Sequence, residues 1–155
     1  SMEGAIEMVN IYREYYGTKG LYENSVYEGI EEVLKVLKER GKVLIIATSK
    51  PEEYARQIVE HYGLSKYFMY VAGSNMDETR TKKAEVIAYA LESCNIQNTN
   101  EVVMIGDRKH DVLGAKAMGL DSIGVLYGYG SREELEVAGA DRIVESAEDL
   151  IRILE

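Results

Sequence analysis

The sequence predicts an α/β fold, a three-layer, open, mainly parallel sheet with helices on both faces. Three observations predict it. Short apolar runs alternate with helical patterns over most of the chain, the order that builds βαβ units and a parallel sheet. The run Val43–Ala47 is apolar throughout, as in a strand buried on both faces. Glycines stand where several helical patterns stop: Gly41, Gly63 and Gly119, as at helix C-termini.

The elements follow in order. Ala5–Tyr16 reads as a helix with Ile6, Val9 and Tyr16 apolar and acids between them, and Gly17–Asn24 as a loop. Glu28–Arg40 is helical, with Ile30, Val33, Leu34 and Leu37 at i, i+3, i+4 and i+7. Strand Val43–Ala47 leads into a Thr48-Ser49-Lys50 loop, and Pro51 suits the first turn of the next helix. That helix directs Tyr54, Ile58, Val59 and Tyr62 inward and ends at Gly63. Tyr67–Ala72 reads as a strand and Gly73–Thr81 as a loop. Lys83–Ser93 is a helix with Val86, Ile87, Ala90 and Leu91 on its apolar face. Strand Val102–Ile105, helix Asp111–Met118, strand Ser122–Leu126, helix Arg132–Ala138, strand Arg142–Glu145 and helix Ala147–Leu154 complete the chain.

A chain of 155 residues is long enough for one domain with a proper core. Its net charge of −9 argues against nucleic acid as a partner, because the phosphate backbone needs a basic face. A small phosphorylated ligand stays compatible, since local charge can oppose the global sign. No apolar run approaches the roughly 18 residues of a membrane span, so no membrane partner is expected. The lone Cys94 permits no internal disulfide and fits a reducing cytoplasm. Its expected role is packing on a helix.

Chemistry concentrates where strands end. Val102-Val-Met-Ile-Gly106 runs into Asp107, and Asp111 follows four residues later at the start of a helical pattern. Ligands of open α/β sheets bind beyond the carboxyl ends of the strands, so this pair is placed to hold a hard cation such as Mg2+. The plainer reading makes Asp111 a helix N-cap and Asp107 a loop acid. Thr48 and Ser49 end an earlier strand, where hydroxyls and backbone N–H groups make a phosphate cradle. Ser49 as an ordinary N-cap is the competing and compatible reading. Lys82 and Lys83 open a helix against its dipole, a conflict that a bound anion relieves, although a lysine read alone is more often solvated. His110 lies between the acids without an expected direct role, and His61 reads as a surface residue.

Together these pieces resemble the haloacid dehalogenase superfamily, in particular its phosphoglycolate-phosphatase-like branch, which has a Rossmann-like core. Leu44-Ile-Ile-Ala-Thr48-Ser-Lys-Pro51 resembles the second family motif, whose Thr or Ser holds the transferring phosphoryl group. Lys83 falls where the third motif has a lysine that steadies nucleophile and phosphate. Gly106-Asp107-Arg108-Lys109-His110-Asp111 resembles the fourth, whose acids hold Mg2+. Ile123–Ser131, followed by Glu133-Glu-Leu and Ala138-Gly-Ala140, is similar to the branch's C-terminal pattern.

The resemblance implies an Mg2+-dependent phosphatase acting on a small phosphorylated metabolite. It assigns Thr48 and Lys83 to catalysis, Thr48, Ser49 and Lys83 to phosphate, and Asp107 and Asp111 to the metal. The first motif, D-x-D-G-T, carries the nucleophile in that family and has no match in these residues. Residues 1–24 are therefore expected to be a remnant of the helical cap with a linker, and 25–155 a core lacking its first strand. By resemblance the missing strand belongs between Val43–Ala47 and Val102–Ile105. The sheet would close that gap, or borrow a strand from a partner, for instance in a strand-exchanged homodimer. The expected activity is that of a truncated phosphatase core, inactive by itself. The alternatives are a non-catalytic phosphate- and metal-binding or interaction module of the same fold and, less in keeping with acids after a late strand, a receiver-like domain.

Overall fold

A computed structural model of the chain describes residues 6–9, 12–13, 25–26, 29–75, 80 and 82–154. Six strands form one parallel sheet: β1 (Ile6–Val9), β4 (Val43–Pro51), β5 (Tyr70–Ser74), β6 (Val102–Gly106), β7 (Asp121–Val125) and β8 (Arg142–Val144). Their spatial order is β5-β4-β1-β6-β7-β8. Two further strands, β2 (Tyr12–Arg13) and β3 (Ser25–Val26), pair antiparallel as a separate ribbon.

The order of the sheet reverses direction at its centre. The chain builds outward through β4 and β5 on one side of β1, and through β6, β7 and β8 on the other. Such a switch point leaves a crevice at the carboxyl ends of the strands.

Strand β1 corrects the expected helix over Ala5–Tyr16 and the expected gap. Ile6–Val9 lies parallel to both neighbours, with Met8 opposite Ile45 of β4 and Met104 of β6. The physical reason is the backbone. A slot between two parallel strands presents N–H and C=O rows on both sides, and those groups need partners. A four-residue stretch, Ile6-Glu7-Met8-Val9, with two β-branched ends is too short for periodicity to separate strand from helix. Residues 5, 10, 11 and 14–16 of the expected helix, and the Gly17–Asn24 loop, lie outside the described residues.

Strand alternation distributes the core between two layers. Leu44 and Ile46 of β4 and Val103 and Ile105 of β6 face one side. There they meet Ile30, Val33, Leu34 and Leu37 of α1 (Ile30–Glu39), Ile58 and Val59 of α2 (Glu52–His61), and Ala147 and Leu150 of α6 (Ala147–Ile153). Ile45, Ala47, Val102 and Met104 face the other side. They pack on Val86, Ile87, Ala90 and Leu91 of α3 (Lys83–Ser93) and Ala115 of α4 (Lys109–Ala117). Helix α5 (Arg132–Ala138) joins this layer through Leu135 and Ala138 against Val112. Both faces are covered, which is why the strands read as unbroken apolar runs.

Helices α3 and α5 occupy the expected residues, and the others shift at their ends. Two elements differ more. The segment Thr48-Ser49-Lys50, expected as a loop, continues β4 to Pro51, whose backbone is extended (φ −55°, ψ 135°). It follows the end of β5, with Pro51 opposite Ser74 after a register shift beyond Ala47. The expected strand over Tyr67–Ala72 starts later, because Ser65–Tyr67 forms a turn of 3-10 helix. On α2, Tyr54 faces solvent and Ala55 is the buried residue instead. Cys94 caps the C-terminus of α3 and packs against the core, and burial raises its thiol pKa. No helix among the described residues is long and apolar enough to cross a membrane.

Candidate active site

Four of the residues singled out in the sequence are buried at the carboxyl ends of the central strands: Thr48 (5% exposed), Lys83 (8%), Asp107 (6%) and Asp111 (2%). Thr48 follows the inner part of β4, and Asp107 follows β6 directly. Lys83 is the first residue of α3, and Asp111 lies in the first turn of α4.

Lys83 and Asp111 meet. Lys83 Nζ lies 2.7 Å from Asp111 Oδ1 and donates to the carbonyl oxygen of Ala47 at 3.1 Å. The ammonium therefore ties α3 to both β4 and α4. A lysine at a helix N-terminus opposes the dipole, and here the buried carboxylate offsets that cost. The lysine stem also leaves its imprint on α4. A Cβ added at Gly114 would come within 2.8 Å of Lys83 Cγ and 3.1 Å of Lys83 Cβ.

Asp111 acts in two directions. While Oδ1 faces Lys83, Oδ2 accepts from the backbone N–H groups of Asp107 (3.1 Å) and Arg108 (3.2 Å). It therefore caps its own helix from inside the first turn and shapes the loop that presents Asp107. The N-cap position itself belongs to Arg108.

Asp107 is held from the opposite side by the loop after β7. Its Oδ2 accepts from Tyr129 N at 2.9 Å, and its carbonyl oxygen accepts from Gly130 N at 2.9 Å. A Cβ at Gly128 would overlap the Asp107 carboxyl group, and one at Gly130 would overlap its carbonyl oxygen. Glycine is therefore required by close approach at these two positions. The Gly-Tyr-Gly stretch falls within the family-like Ile123–Ser131 pattern, but its role against Asp107 is not legible there, because nothing local says where its amides point. Next to this loop, burial, then the nearby Asp107 and Glu148 carboxylates, push the Tyr127 phenol far above its ordinary pKa.

The hydroxyls stand on the β4 side of the site. Thr48 Oγ1 accepts from Lys50 N at 3.2 Å. Ser49 is exposed, and the N-cap of α2 is Pro51, with no side-chain cap, so Ser49 does not fill the N-cap place considered for it. Lys82 is exposed, with its backbone N–H donating to Glu85 Oε1 at 3.0 Å. His110 and His61 are exposed.

No group of three or more His, Cys, Asp or Glu side chains among the described residues forms a metal cluster. The donor set matches Mg2+ better than a closed metal cage. Mg2+ is commonly held by one or two carboxylates, with waters and substrate phosphate completing its shell. Asp107 and Asp111 supply two carboxylates, and the Lys83 ammonium already offsets part of the charge on Asp111. Asp107 is then the main anionic donor.

The sequence pattern described as haloacid dehalogenase-like hydrolase matches residues 1–125. The chain belongs to that family. It is 47% identical over 131 residues to a 5'-nucleotidase of Pseudomonas aeruginosa, covering 84% of this chain and 59% of that protein. It is 37% identical over 145 residues to the tyrosine-protein kinase PtkA of Mycobacterium tuberculosis, covering 94% of this chain and 50% of that one. Among solved structures, a predicted phosphatase from Clostridium acetobutylicum superposes with a TM-score of 0.84 at 49% identity. That match covers 87% of this chain and 62% of the other. The chain thus spans between half and two thirds of the length of these relatives.

Proposed function

We propose that this chain carries the phosphate- and Mg2+-binding half of a phosphomonoesterase acting on a small phosphorylated metabolite. The observation that carries this reading is the buried relay Ala47–Lys83–Asp111–Asp107 across the switch point of the sheet, with Thr48 at the neighbouring strand end. A cation, a hydroxyl and two carboxylates converge where a phosphate and a hard metal ion need them.

The residues divide the work by type. The Thr48 hydroxyl, buried at the strand end and accepting from Lys50 N, is of the type that would donate to a phosphoryl oxygen. The Lys83 ammonium has three N–H donors, of which two are directed at Ala47 and Asp111. The third is available to an anion. Asp107 and Asp111 would hold Mg2+, which when bound neutralises phosphoryl oxygens. Ser49 contributes at the exposed rim of the cradle.

These 155 residues carry no aspartate before Asp77, and Asn10 follows the central strand β1. The D-x-D-G-T segment that, by the resemblance, supplies the carboxylate forming an aspartyl-phosphate therefore has no counterpart ahead of Thr48 in these residues. We infer that the chain alone binds Mg2+ weakly and turns over phosphomonoesters negligibly. The same observation favours the second reading, a non-catalytic phosphate- and metal-binding module. The relatives carry the names of a nucleotidase and a kinase, so membership alone does not choose the reaction.

The test pairs Mg2+ titration calorimetry with p-nitrophenyl phosphate hydrolysis by the mass-verified chain, using Asp107→Asn as control. Weak Mg2+ binding that Asp107→Asn removes, without turnover, is the expected result. Turnover that the same substitution abolishes overturns the inactivity. Absence of any Mg2+ binding overturns the site. Adding an N-terminal D-x-D-G-T segment then separates the two readings, because only a phosphatase core gains activity from it.

A further inference from the structure

Ser131-Arg-Glu-Glu134 has the S-x-x-E pattern of a capping box at the start of α5. In that motif the serine side chain accepts from the N–H of the glutamate, and the glutamate side chain returns to the N–H of the serine. Only the first half forms here, with Glu134 N donating to Ser131 Oγ at 3.1 Å. The Glu134 carboxylate turns away from its own helix. Its Oε2 accepts from Arg108 Nε at 2.8 Å and from Lys109 N at 2.8 Å, and Oε1 accepts from Arg108 Nη2 at 3.4 Å.

The result is a turn held by carboxylates along its whole length. Three consecutive backbone N–H groups, those of Asp107, Arg108 and Lys109, donate to side-chain acids, the first two to Asp111 and the third to Glu134. The loop that leads into α5 donates Tyr129 N and Gly130 N back to Asp107. Glu134, in the first turn of α5, adds a second side-chain link to the one Asp107 makes, and a Cβ at Gly130 would lie 3.1 Å from its Oε2. Nothing in the local needs of α5 requires this arrangement, since a completed capping box would serve that helix.

We propose that Glu134 is a positioning residue for Asp107. By clamping the 107–109 turn against the 129–131 turn, it fixes the Asp107 carboxylate in the orientation that receives Mg2+. This rests on the metal-binding reading given above. Partners that orient a ligand from behind commonly change metal affinity by about 10- to 100-fold when removed.

The experiment compares the wild-type chain with Glu134→Ala, Glu134→Gln and Glu133→Gln. It measures Mg2+ affinity by calorimetry and hydrogen exchange at the Tyr129 and Gly130 amides without metal. Glu134→Ala is expected to weaken Mg2+ by about tenfold and to speed exchange at both amides by a similar factor. Glu134→Gln keeps an acceptor oxygen and is expected to fall between alanine and wild type. Glu133→Gln, on the exposed side of the same helix, should match wild type in both.

If Glu134→Ala and Glu134→Gln stay folded with Mg2+ affinity within about twofold of wild type, the proposal is overturned, however much stability is lost. If the wild type itself binds no Mg2+, the metal-binding reading falls. The amides then decide whether Glu134 positions this loop: unchanged exchange in Glu134→Ala overturns that too, and faster exchange confined to Tyr129 and Gly130 upholds it.

Discussion

The sheet presents two strand-to-helix junctions at its functional end, and they are built differently. At the β6–α4 junction every backbone N–H from Asp107 to Lys109 is bound by a carboxylate, and Asp111 is further locked by Lys83. At the β4–α2 junction the chain stays extended through Thr48-Ser49-Lys50, the register shifts, and the helix begins at Glu52 after Pro51, without a side-chain cap. The first is pre-organised by buried charge, and the second follows the edge of β5, with Thr48 Oγ1 accepting from Lys50 N. A site that must hold a small hard cation needs fixed oxygen atoms, whereas a phosphate with several equivalent oxygens tolerates a looser cradle.

The comparison fixes an order of effects. Lys83→Met should cost the most, about 3–5 kcal/mol in urea unfolding, because it leaves the Asp111 carboxylate buried without its counter-charge. A loss no larger than that from a surface substitution would mean the β6–α4 junction is not charge-locked. Gly130→Ala should follow, at about 1–3 kcal/mol by thermal unfolding, since the new Cβ must displace the Asp107 carbonyl or the loop. Thr48→Val should cost only about 1 kcal/mol, the typical worth of one hydrogen bond, while weakening inorganic phosphate binding measured by calorimetry. If it destabilises the fold as much as Lys83→Met, the two junctions are alike after all.

A smaller effect concerns pH. The Arg108 hydrogen bond, helped by Lys109 N, holds the Glu134 carboxyl below its ordinary value of 4.5. A depressed carboxylate contributes stability that is present above its unfolded pKa and is lost as pH falls through the folded one. The difference in unfolding free energy between wild type and Glu134→Gln should therefore be constant at neutral pH and vanish in acid. Its plateau should lie below about 1 kcal/mol, because the ion pair is partly exposed. Ser49→Ala should sit at the bottom of the order, within about 0.5 kcal/mol of wild type.

Much of this architecture was legible in the sequence, for identifiable reasons. Helix α3 was readable because Val86, Ile87, Ala90 and Leu91 keep strict helical spacing and are all buried. The acids were readable because an apolar strand ending in glycine places them. Strand β1 was not, because Ile6–Val9 is too short to have a period, and its pairing comes from residues about 35 and 95 positions later. Tyr54 was misplaced because helical spacing alone does not resolve Tyr54 from its neighbour Ala55. The role of Glu134 was not legible, since its S-x-x-E setting concerns α5 alone and only the fold brings Arg108 within its reach.

The contact between Lys83 and Gly114 has a historical consequence. A methyl group at 114 meets the lysine stem at 2.8 Å, so Gly114→Ala is penalised while the lysine is present and is relieved only in part once position 83 is shortened, because the Cβ of residue 83 (3.1 Å) and Ile87 Cδ1 (3.2 Å) still crowd it. Position 83, in turn, cannot be shortened without stranding a buried acid. The two positions therefore constrain each other's mutational order. A lineage that lost the lysine would fill position 114 at a lower cost, and a side chain placed there would then oppose the lysine's return.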